Sequence, residues 1–482
     1  MILPNPQRAA RSVLCAGWYE AAYSSLGSLM RRSAFRNELA AATRLAVPVV
    51  VSQLGIMLMG VVDTMMLGHL SAEALAAGAL GNILTFCLMN LGYGILSALD
   101  PLVSQAHGAR EDAAVVGGHL QRGLVMAAAL TVPCVLLLLD VEPFLRRLGQ
   151  APDVSRDAAA FTRGMLWGIL PYFLFVALRQ TLQAMSHVRP AVMAIAVGNL
   201  CNLGFNWVLI FGHLGAPALG LRGSAFSTSI SRWVMFLYLL IASRRRLAPY
   251  WRGLTAEATA LRGHLRMLRI GLPIGLHNTF ELLIFAAATV LIGQIGVAAL
   301  AGHQIAIILA SLTYMVPLGV SGAAATRVGN AIGRRDPTGA RLAAEACLAV
   351  GAGTMLAFAI LFILFPGPLA RLFTRDPAVI AMVTALLPIA AAFQVFDGLQ
   401  VVSAGVLRGA ADTTFPAAMA FLGYWVLALP TGWWLAFRAG LGARGLWWGF
   451  TVGLAVVAIL LLLRVAVRLR RPLARAGAEA GA

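Results

Sequence analysis

Three carboxylates stand in stretches of sequence that are otherwise apolar: Asp63, Glu281 and Asp397. An ionised carboxylate in hydrocarbon costs about 2.5–3.5 kcal/mol on insertion scales, so each one requires a function or a buried partner. Only Arg179 and Arg232 lie in comparable apolar stretches and could neutralise them. Such a carboxyl can exchange H⁺, accept Na⁺ or attract a cationic substrate. The alternative is a structural carboxylate that is hydrogen-bonded to a neighbouring helix.

Neutral polar residues accompany these acids. Asn202 and Asn206 are four residues apart and share one helix face, where they could bind neighbouring helices or form part of a site. His277 precedes Glu281 by one helical turn. Because the sequence has no HExxH motif, we expect His277 to be a hydrogen-bond partner of Glu281 and not a zinc ligand.

The composition places these residues in a membrane. The chain has 482 residues, of which 60% are hydrophobic and only 12% are charged, whereas soluble chains are about 25% charged. The net charge of +18 comes from 37 basic residues, all of them Arg. The five cysteines are scattered, so neither a disulfide framework nor a zinc site is indicated.

Twelve charge-poor stretches, separated by Pro, Gly and charged residues, are long enough for spanning helices of about 20 residues. We therefore predict an all-α polytopic membrane protein. Its twelve helices are expected near residues 45–67, 78–99, 120–140, 161–182, 191–211, 219–242, 270–293, 303–325, 343–365, 380–402, 417–437 and 445–465.

The arginines orient these helices. If the N-terminus is cytoplasmic, the cytoplasmic loops and tails, counted with the adjoining helix segments, hold about 27 Arg, and the external loops hold about 9. The positive-inside rule then predicts that both termini are cytoplasmic. No signal peptide is expected, because no uninterrupted apolar core precedes a cleavage site. Residues 1–29 are either an over-extended gene start before Met30 or an amphipathic surface helix.

The first half of the chain resembles the second. Residues 45–110 align with 270–335 at a shift of 225 without a gap, and the matches include Pro48/Pro273, Gly108/Gly333 and Arg110/Arg335. Six helices in each half is an even number, so both halves have the same orientation. This predicts two pseudo-symmetric parallel six-helix bundles related by an axis along the membrane normal, an arrangement of transporters that bind substrate between the halves.

The acids break this repeat. Asp63 aligns with Ala288, and Glu281 aligns with Ile56. We therefore expect the two halves to have different roles in binding or exchanging ions.

Motifs for nucleotide binding or catalysis are absent from the sequence. It contains no Walker A motif, dinucleotide fingerprint or catalytic triad pattern, so we expect that the protein is not an enzyme and has no cofactor. Transport would then depend on an ion gradient. The positive charge is explained by topology, so no nucleic-acid partner is expected.

Several motifs resemble those of the multidrug and toxic compound extrusion (MATE) family, NorM-like bacterial branch, over roughly residues 36–465. The most specific stretch is Phe393-Gln394-Val-Phe-Asp397-Gly-Leu-Gln400, followed by Gly405-Val-Leu407-Arg408-Gly409, Asp412-Thr413 and Pro416. The other matches are Val61-Val-Asp63-Thr64 with Gly68, Glu281, and Gly329-Asn330-Ala-Ile-Gly333.

The resemblance implies a monomer in the bacterial inner membrane, in contact with lipid, that exports cationic or amphipathic drugs in exchange for Na⁺ or H⁺ by alternating access. It implies a cation site at Glu281 and Asp397, the only metal site expected, and an N-lobe polar site at Asp63, Asn202 and Asn206. Further candidates for a substrate or polar network are His277, Phe393, Gln394 and Gln400. Some members carry Tyr where this chain has Phe393, so one coordinating hydroxyl is missing.

The repeat and the charge distribution divide the chain into five regions: a cytoplasmic tail 1–43, an N-lobe 44–242, a basic cytoplasmic linker 243–269, a C-lobe 270–465 and a cytoplasmic tail 466–482. The alternative function is a lipid-linked oligosaccharide flippase of the same broad superfamily. For that function we would expect additional helices and a strongly cationic central cavity.

Overall fold

Within the described residues, twelve helices are long and apolar enough to cross a membrane, as predicted. The computed structural model describes residues 6–251, 259–471 and 475–476, with side chains from residue 32 onward. We number the spans α1 (Arg32–Leu70), α2 (Ala72–Gly108), α3 (Ala113–Leu138), α4 (Pro152–Ala184), α5 (Arg189–Phe211), α6 (Leu221–Tyr250), α7 (Leu261–Gly293), α8 (Val297–Gly333), α9 (Pro337–Leu364), α10 (Pro377–Gly409), α11 (Thr414–Arg438) and α12 (Ala443–Arg470).

Most spans extend beyond the predicted limits. The linker predicted at 243–269 is largely helical, since α6 ends at Tyr250 and α7 begins at Leu261. Helix α1 is continuous with a helix that begins at Pro6. The choice between the two interpretations of residues 1–29 depends on side chains outside the described part of the chain.

A break divides α2 into the helices Ala72–Leu96 and Leu99–Gly108. Pro101 has no N–H with which to bond the Ser97 carbonyl, so the helical ladder is interrupted at this turn. The Ser97 hydroxyl donates to the Tyr93 carbonyl one turn earlier (2.9 Å). The segment after the break carries Asp100, which we expected in a loop and which is fully buried inside a span.

The two halves end their helices in the same way. Two residues beyond the ends of α2 and α8 lie Arg110 and Arg335, which both have left-handed backbones (φ 55° and 57°) and are 225 residues apart. Ser186 and Ala411 occupy the same position after α4 and α10 (φ 62° and 57°), again 225 residues apart. At all four ends the following N–H bonds to the carbonyl five residues earlier, as in a Schellman cap. The structure thus repeats the spacing found in the sequence.

Helices α6 and α12 keep this symmetry at a shorter spacing. Each begins after a glycine with nearly the same backbone, Gly220 (φ 53°, ψ −127°) and Gly442 (φ 56°, ψ −137°). These two positions are 222 residues apart, so each residue of α6 corresponds to the residue 222 positions later in α12.

Polar contacts join the N-terminal half (α1–α6) to the C-terminal half (α7–α12) at one end of the bundle. We call this end, where α1 begins and α12 ends, the terminal face. There, Gln105 donates to the Gly409 carbonyl (2.9 Å), and Asn330 donates to the Ala184 carbonyl (3.1 Å). Helix α2 also packs on α7 and α8, and α1 packs on α8 and α9.

Candidate functional site

Asp63 in α1 lies at the centre of a hydrogen-bond network with α5 and α6. Its Oδ1 accepts from the Asn202 amide (3.0 Å) and from the Asn206 amide (2.6 Å). Its Oδ2 accepts from the Thr228 hydroxyl (2.7 Å). The structure therefore brings together the three residues expected from the sequence and adds Thr228. Both carboxylate oxygens have donors.

Arg232 lies one turn after Thr228 in α6 and supplies a positive charge to this network, within electrostatic range of Asp63. Its Nη1 lies 3.5 Å from the Met89 sulfur, and its guanidinium stands 5.4 Å from the centre of the Tyr172 ring. A cation over an aromatic face is stabilised by the ring quadrupole. Arg232 is thus held in place by apolar and aromatic groups, and it forms no direct ion pair with another described residue.

Glu281 in α7 and Asp397 in α10 form the second acidic site, in the C-terminal half. Asp397 is 4% exposed, and the Glu281 side chain is 12% exposed. The two carboxylates lie within electrostatic range of each other. Two tyrosines complete the cluster: Tyr314 of α8 lies beside Glu281, and Tyr424 of α11 is fully buried near both acids. Sequence reasoning missed both hydroxyls.

His277 lies near Glu281 but does not hydrogen-bond to it, contrary to expectation. The closest approach, from Nε2 to Oε2, is 3.9 Å. The Nδ1 atom instead donates to the Pro416 carbonyl (3.2 Å), and Nε2 pairs with the Gln400 amide nitrogen (3.0 Å). His277 therefore connects α7 to α10 and α11 one helical turn before Glu281.

The other two candidates from the resemblance are buried in α10. Phe393 packs edge-on against the rings of Phe285 and Trp447, with centroids 6.1 and 5.8 Å away. Gln394 accepts a hydrogen bond from the Thr313 hydroxyl of α8. Both residues therefore contribute to packing around the acids, and neither is exposed to a ligand.

Several oxygen atoms of the acidic cluster have no hydrogen-bond partner among the described residues. They are Asp397 Oδ1, Gln400 Oε1 and the Tyr424 hydroxyl, all fully buried. Buried polar atoms are nearly always paired, so these oxygens on neighbouring side chains keep hydrogen-bonding capacity that the described residues do not use. Within the described residues, no group of three or more His, Cys, Asp and Glu side chains is arranged for a metal ion.

Comparison with known proteins agrees with this architecture. The MatE family model matches the chain twice, at residues 48–208 and 273–434, which are the segments that the 225-residue repeat relates. The probable multidrug resistance protein NorM of Mesorhizobium japonicum is 37% identical over 449 residues, which are 91% of this chain and 96% of that protein. The multidrug resistance protein NorM of Burkholderia vietnamiensis is 37% identical over 431 residues, covering 87% and 92%.

Solved transporter structures share the fold. The eukaryotic MATE transporter AtDTX14 has a TM-score of 0.82 at 24% identity, with 90% of this chain and 96% of that one covered. The Vibrio cholerae MATE transporter VcmN, in its bent form, has a TM-score of 0.80 at 20% identity, covering 91% and 98%. With both repeats matched and near full-length relatives, the chain belongs to the MatE family of membrane transporters.

Proposed function

We propose that this protein is a secondary active exporter of cationic, amphipathic compounds, driven by the entry of Na⁺ or H⁺. The observation that carries the proposal is the pair of buried carboxylates, Glu281 and Asp397, with unpaired oxygens around them. The relatives named as multidrug resistance proteins support drugs as the exported class. The acids support a positive charge on those drugs, because an apolar site with carboxylates favours cations.

The arginine distribution supports a cytoplasmic terminal face and a location in the bacterial inner membrane. With that face in the cytoplasm, the contacts that join the halves there would close the carrier to the cytoplasm. Drug and ion would then exchange with the external side in this state. The opposite state would require the contacts at the terminal face to separate.

Drug and ion exchange because both are positively charged and are attracted by the same carboxylates. A cation or proton that enters at Glu281 and Asp397 from outside neutralises the carboxylates, which weakens their attraction for a cationic drug. The drug leaves, and the loaded carrier returns to the inward-open state. Release of the ion to the cytoplasm restores the negative charge, so that the next drug molecule can bind.

Ethidium efflux from whole cells tests this proposal. Cells expressing the protein should extrude ethidium, and the rate should fall when either Na⁺ is withdrawn or a protonophore is added; which treatment acts identifies the ion. Glu281→Gln and Asp397→Asn should reduce efflux to the background rate. Asp412→Asn is the control, because this acid lies in the turn after α10, away from the cluster.

Full drug resistance in the Glu281→Gln and Asp397→Asn strains, at wild-type expression, would contradict the proposal. Absence of ethidium efflux together with a cell-envelope defect in the deletion strain would instead favour the lipid-linked oligosaccharide flippase.

A further inference from the structure

A buried ion pair links the two halves at the terminal face. Asp100 in α2 is completely buried, and its Oδ2 lies 3.5 Å from Nη1 of Arg408 in α10, whose side chain is 12% exposed. Neither oxygen of Asp100 accepts a hydrogen bond from another described residue. Asp100 belongs to the N-terminal half and Arg408 to the C-terminal half, so the pair exists only while the halves touch.

A second arginine faces the same carboxylate from within the N-terminal half. Arg179 of α4 lies within electrostatic range of Asp100. It donates to Gln53 (3.0 Å) and to the Tyr93 hydroxyl (3.3 Å), which fix its position. Asp100 therefore keeps one positive neighbour when the halves part, whereas Arg408 loses its only acidic partner among the described residues.

We propose that Asp100 and Arg408 are positioning residues of the transport cycle, whose buried pair holds the terminal face closed and separates when the carrier opens there. The proposal rests on the proposed function, because it assigns a part of the alternating-access cycle. It goes beyond that function by naming one buried contact that contributes to the balance between the two states, in addition to the ion pair of Glu38 in α1 with Arg327 in α8 (2.7 Å).

The energetics of buried pairs suit this role. The attraction between two buried charges is largely offset by the loss of their hydration, so an intact pair holds the halves together only weakly. Removal of one partner leaves an uncompensated buried charge, which is strongly unfavourable. Opening relieves that cost because water reaches the charge. The wild-type pair can therefore close the face and still release it.

Cysteine labelling at the interface measures this equilibrium. Ser104 is fully buried in α2 and lies directly against Gly329 of α8, so a cysteine at 104 is accessible only when the halves separate. The purified full chain carrying Ser104→Cys is reacted with N-ethylmaleimide, without drug or ion gradient. The five native cysteines are first replaced by alanine: Cys15, Cys87, Cys134, Cys201 and Cys347.

The expected rates follow from the buried charges. Asp100→Asn leaves Arg408 and Arg179 without an acid, so labelling should accelerate by about tenfold or more. Arg408→Gln leaves Asp100 beside Arg179 and should accelerate labelling less. In the double variant Asp100→Asn/Arg408→Gln, Arg179 no longer faces a second positive charge. Labelling of the double variant should therefore be slower than labelling of Asp100→Asn alone. This reversal of sign would not arise from a general loss of packing.

The matched control is the other Asp–Arg pair near the terminal face. Arg464 of α12 donates to Asp412 (2.8 Å), and both belong to the C-terminal half. Arg464→Gln should leave the labelling rate unchanged. Arg408→Lys keeps the positive charge, so its labelling rate should stay near that of the wild-type protein and below that of Arg408→Gln. This comparison provides the test if Asp100→Asn does not yield monodisperse protein on gel filtration.

Unchanged labelling in folded Asp100→Asn and Arg408→Gln proteins would overturn the proposal, as would additive acceleration in the double variant. Labelling requires neither drug nor ion, so its outcome is separate from efflux. Wild-type efflux with unchanged labelling would refute the role of this pair alone. The predicted labelling pattern in a chain without efflux would refute the exporter and leave the pair intact.

Discussion

The two halves carry their charges at different positions of the same scaffold. In the N-terminal half, Asp63 accepts three hydrogen bonds from neutral side chains and has Arg232 nearby. In the C-terminal half, Glu281 and Asp397 lie within electrostatic range of each other, and buried oxygens around them lack partners among the described residues. One site is already satisfied by the protein, and the other keeps oxygens that no described residue satisfies.

The duplication shows where the two sites diverged. Asp397 and Tyr314 correspond, at a shift of 225, to Tyr172 and Met89. Both of these residues contact Arg232. A guanidinium thus lies among the N-terminal counterparts of the C-terminal acidic cluster. Arg232 itself corresponds to the buried Leu454 of α12. We infer that only the C-terminal half leaves this position to an exchangeable cation.

The largest expected difference is in the response to ion gradients. Asp397→Asn should abolish the dependence of ethidium efflux on both the Na⁺ and the pH gradient. Asp63→Asn should lower the rate by about threefold to tenfold and keep the dependence, since interhelical hydrogen bonds in membranes contribute about 0.6 kcal/mol each. Everted vesicles with imposed gradients provide the measurement. Equal loss of gradient dependence in both variants would mean that the halves share the ion site.

Tyr424→Phe tests whether the unpaired hydroxyl is a cation ligand. Removal of a buried hydroxyl without a partner should not destabilise the ion-free protein. The ion concentration for half-maximal efflux should nevertheless rise by about tenfold, as expected for one lost interaction of about 1.4 kcal/mol. Tyr238→Phe in α6, outside both acidic sites, is the control. An unchanged ion requirement in Tyr424→Phe would remove this hydroxyl from the site.

The number of spans, the duplication and the three isolated acids could be predicted from the sequence because each depends on local or periodic features. Hydropathy identifies spans, and a fixed shift identifies a repeat. The partners of the acids depend on which helices meet. Asn202 and Asn206 were predictable as a polar stripe, whereas Tyr314 and Tyr424 resemble the many tyrosines that anchor spans at the membrane surface.

Two expectations were wrong for reasons of packing and backbone. The second span was expected to end at residue 99, but the chain resumes a helix there, which places Asp100 inside the protein. His277 and Glu281 share a helix face, yet the Pro416 carbonyl and the Gln400 amide take both ring nitrogens. Helical spacing predicts that two side chains are close, but competing partners on other helices decide which bonds form.

Arg232→Leu tests the comparison in the N-terminal half, because it introduces the leucine that α12 carries at the equivalent position. The substitution removes the positive charge near Asp63 and should destabilise the protein. Combination with Asp63→Asn should recover part of the loss, with a coupling energy of about 0.5–3 kcal/mol. Thermal unfolding of the four proteins in detergent measures the cycle. Additive effects would mean that Arg232 stabilises its aromatic neighbours and not Asp63.

The smallest effect is expected for Phe393→Tyr, which introduces the hydroxyl found in some family members. Phe393 is 3% exposed and packs against the Phe285 and Trp447 rings, so the new hydroxyl would be buried at a cost of about 1 kcal/mol. The ion requirement for efflux should not change, because Tyr314 and Tyr424 already bring hydroxyls to the acids. A lower ion requirement would instead identify position 393 as the place of a missing ligand. The hydroxyls of Tyr314 and Tyr424 would then not be sufficient to complete the C-terminal site.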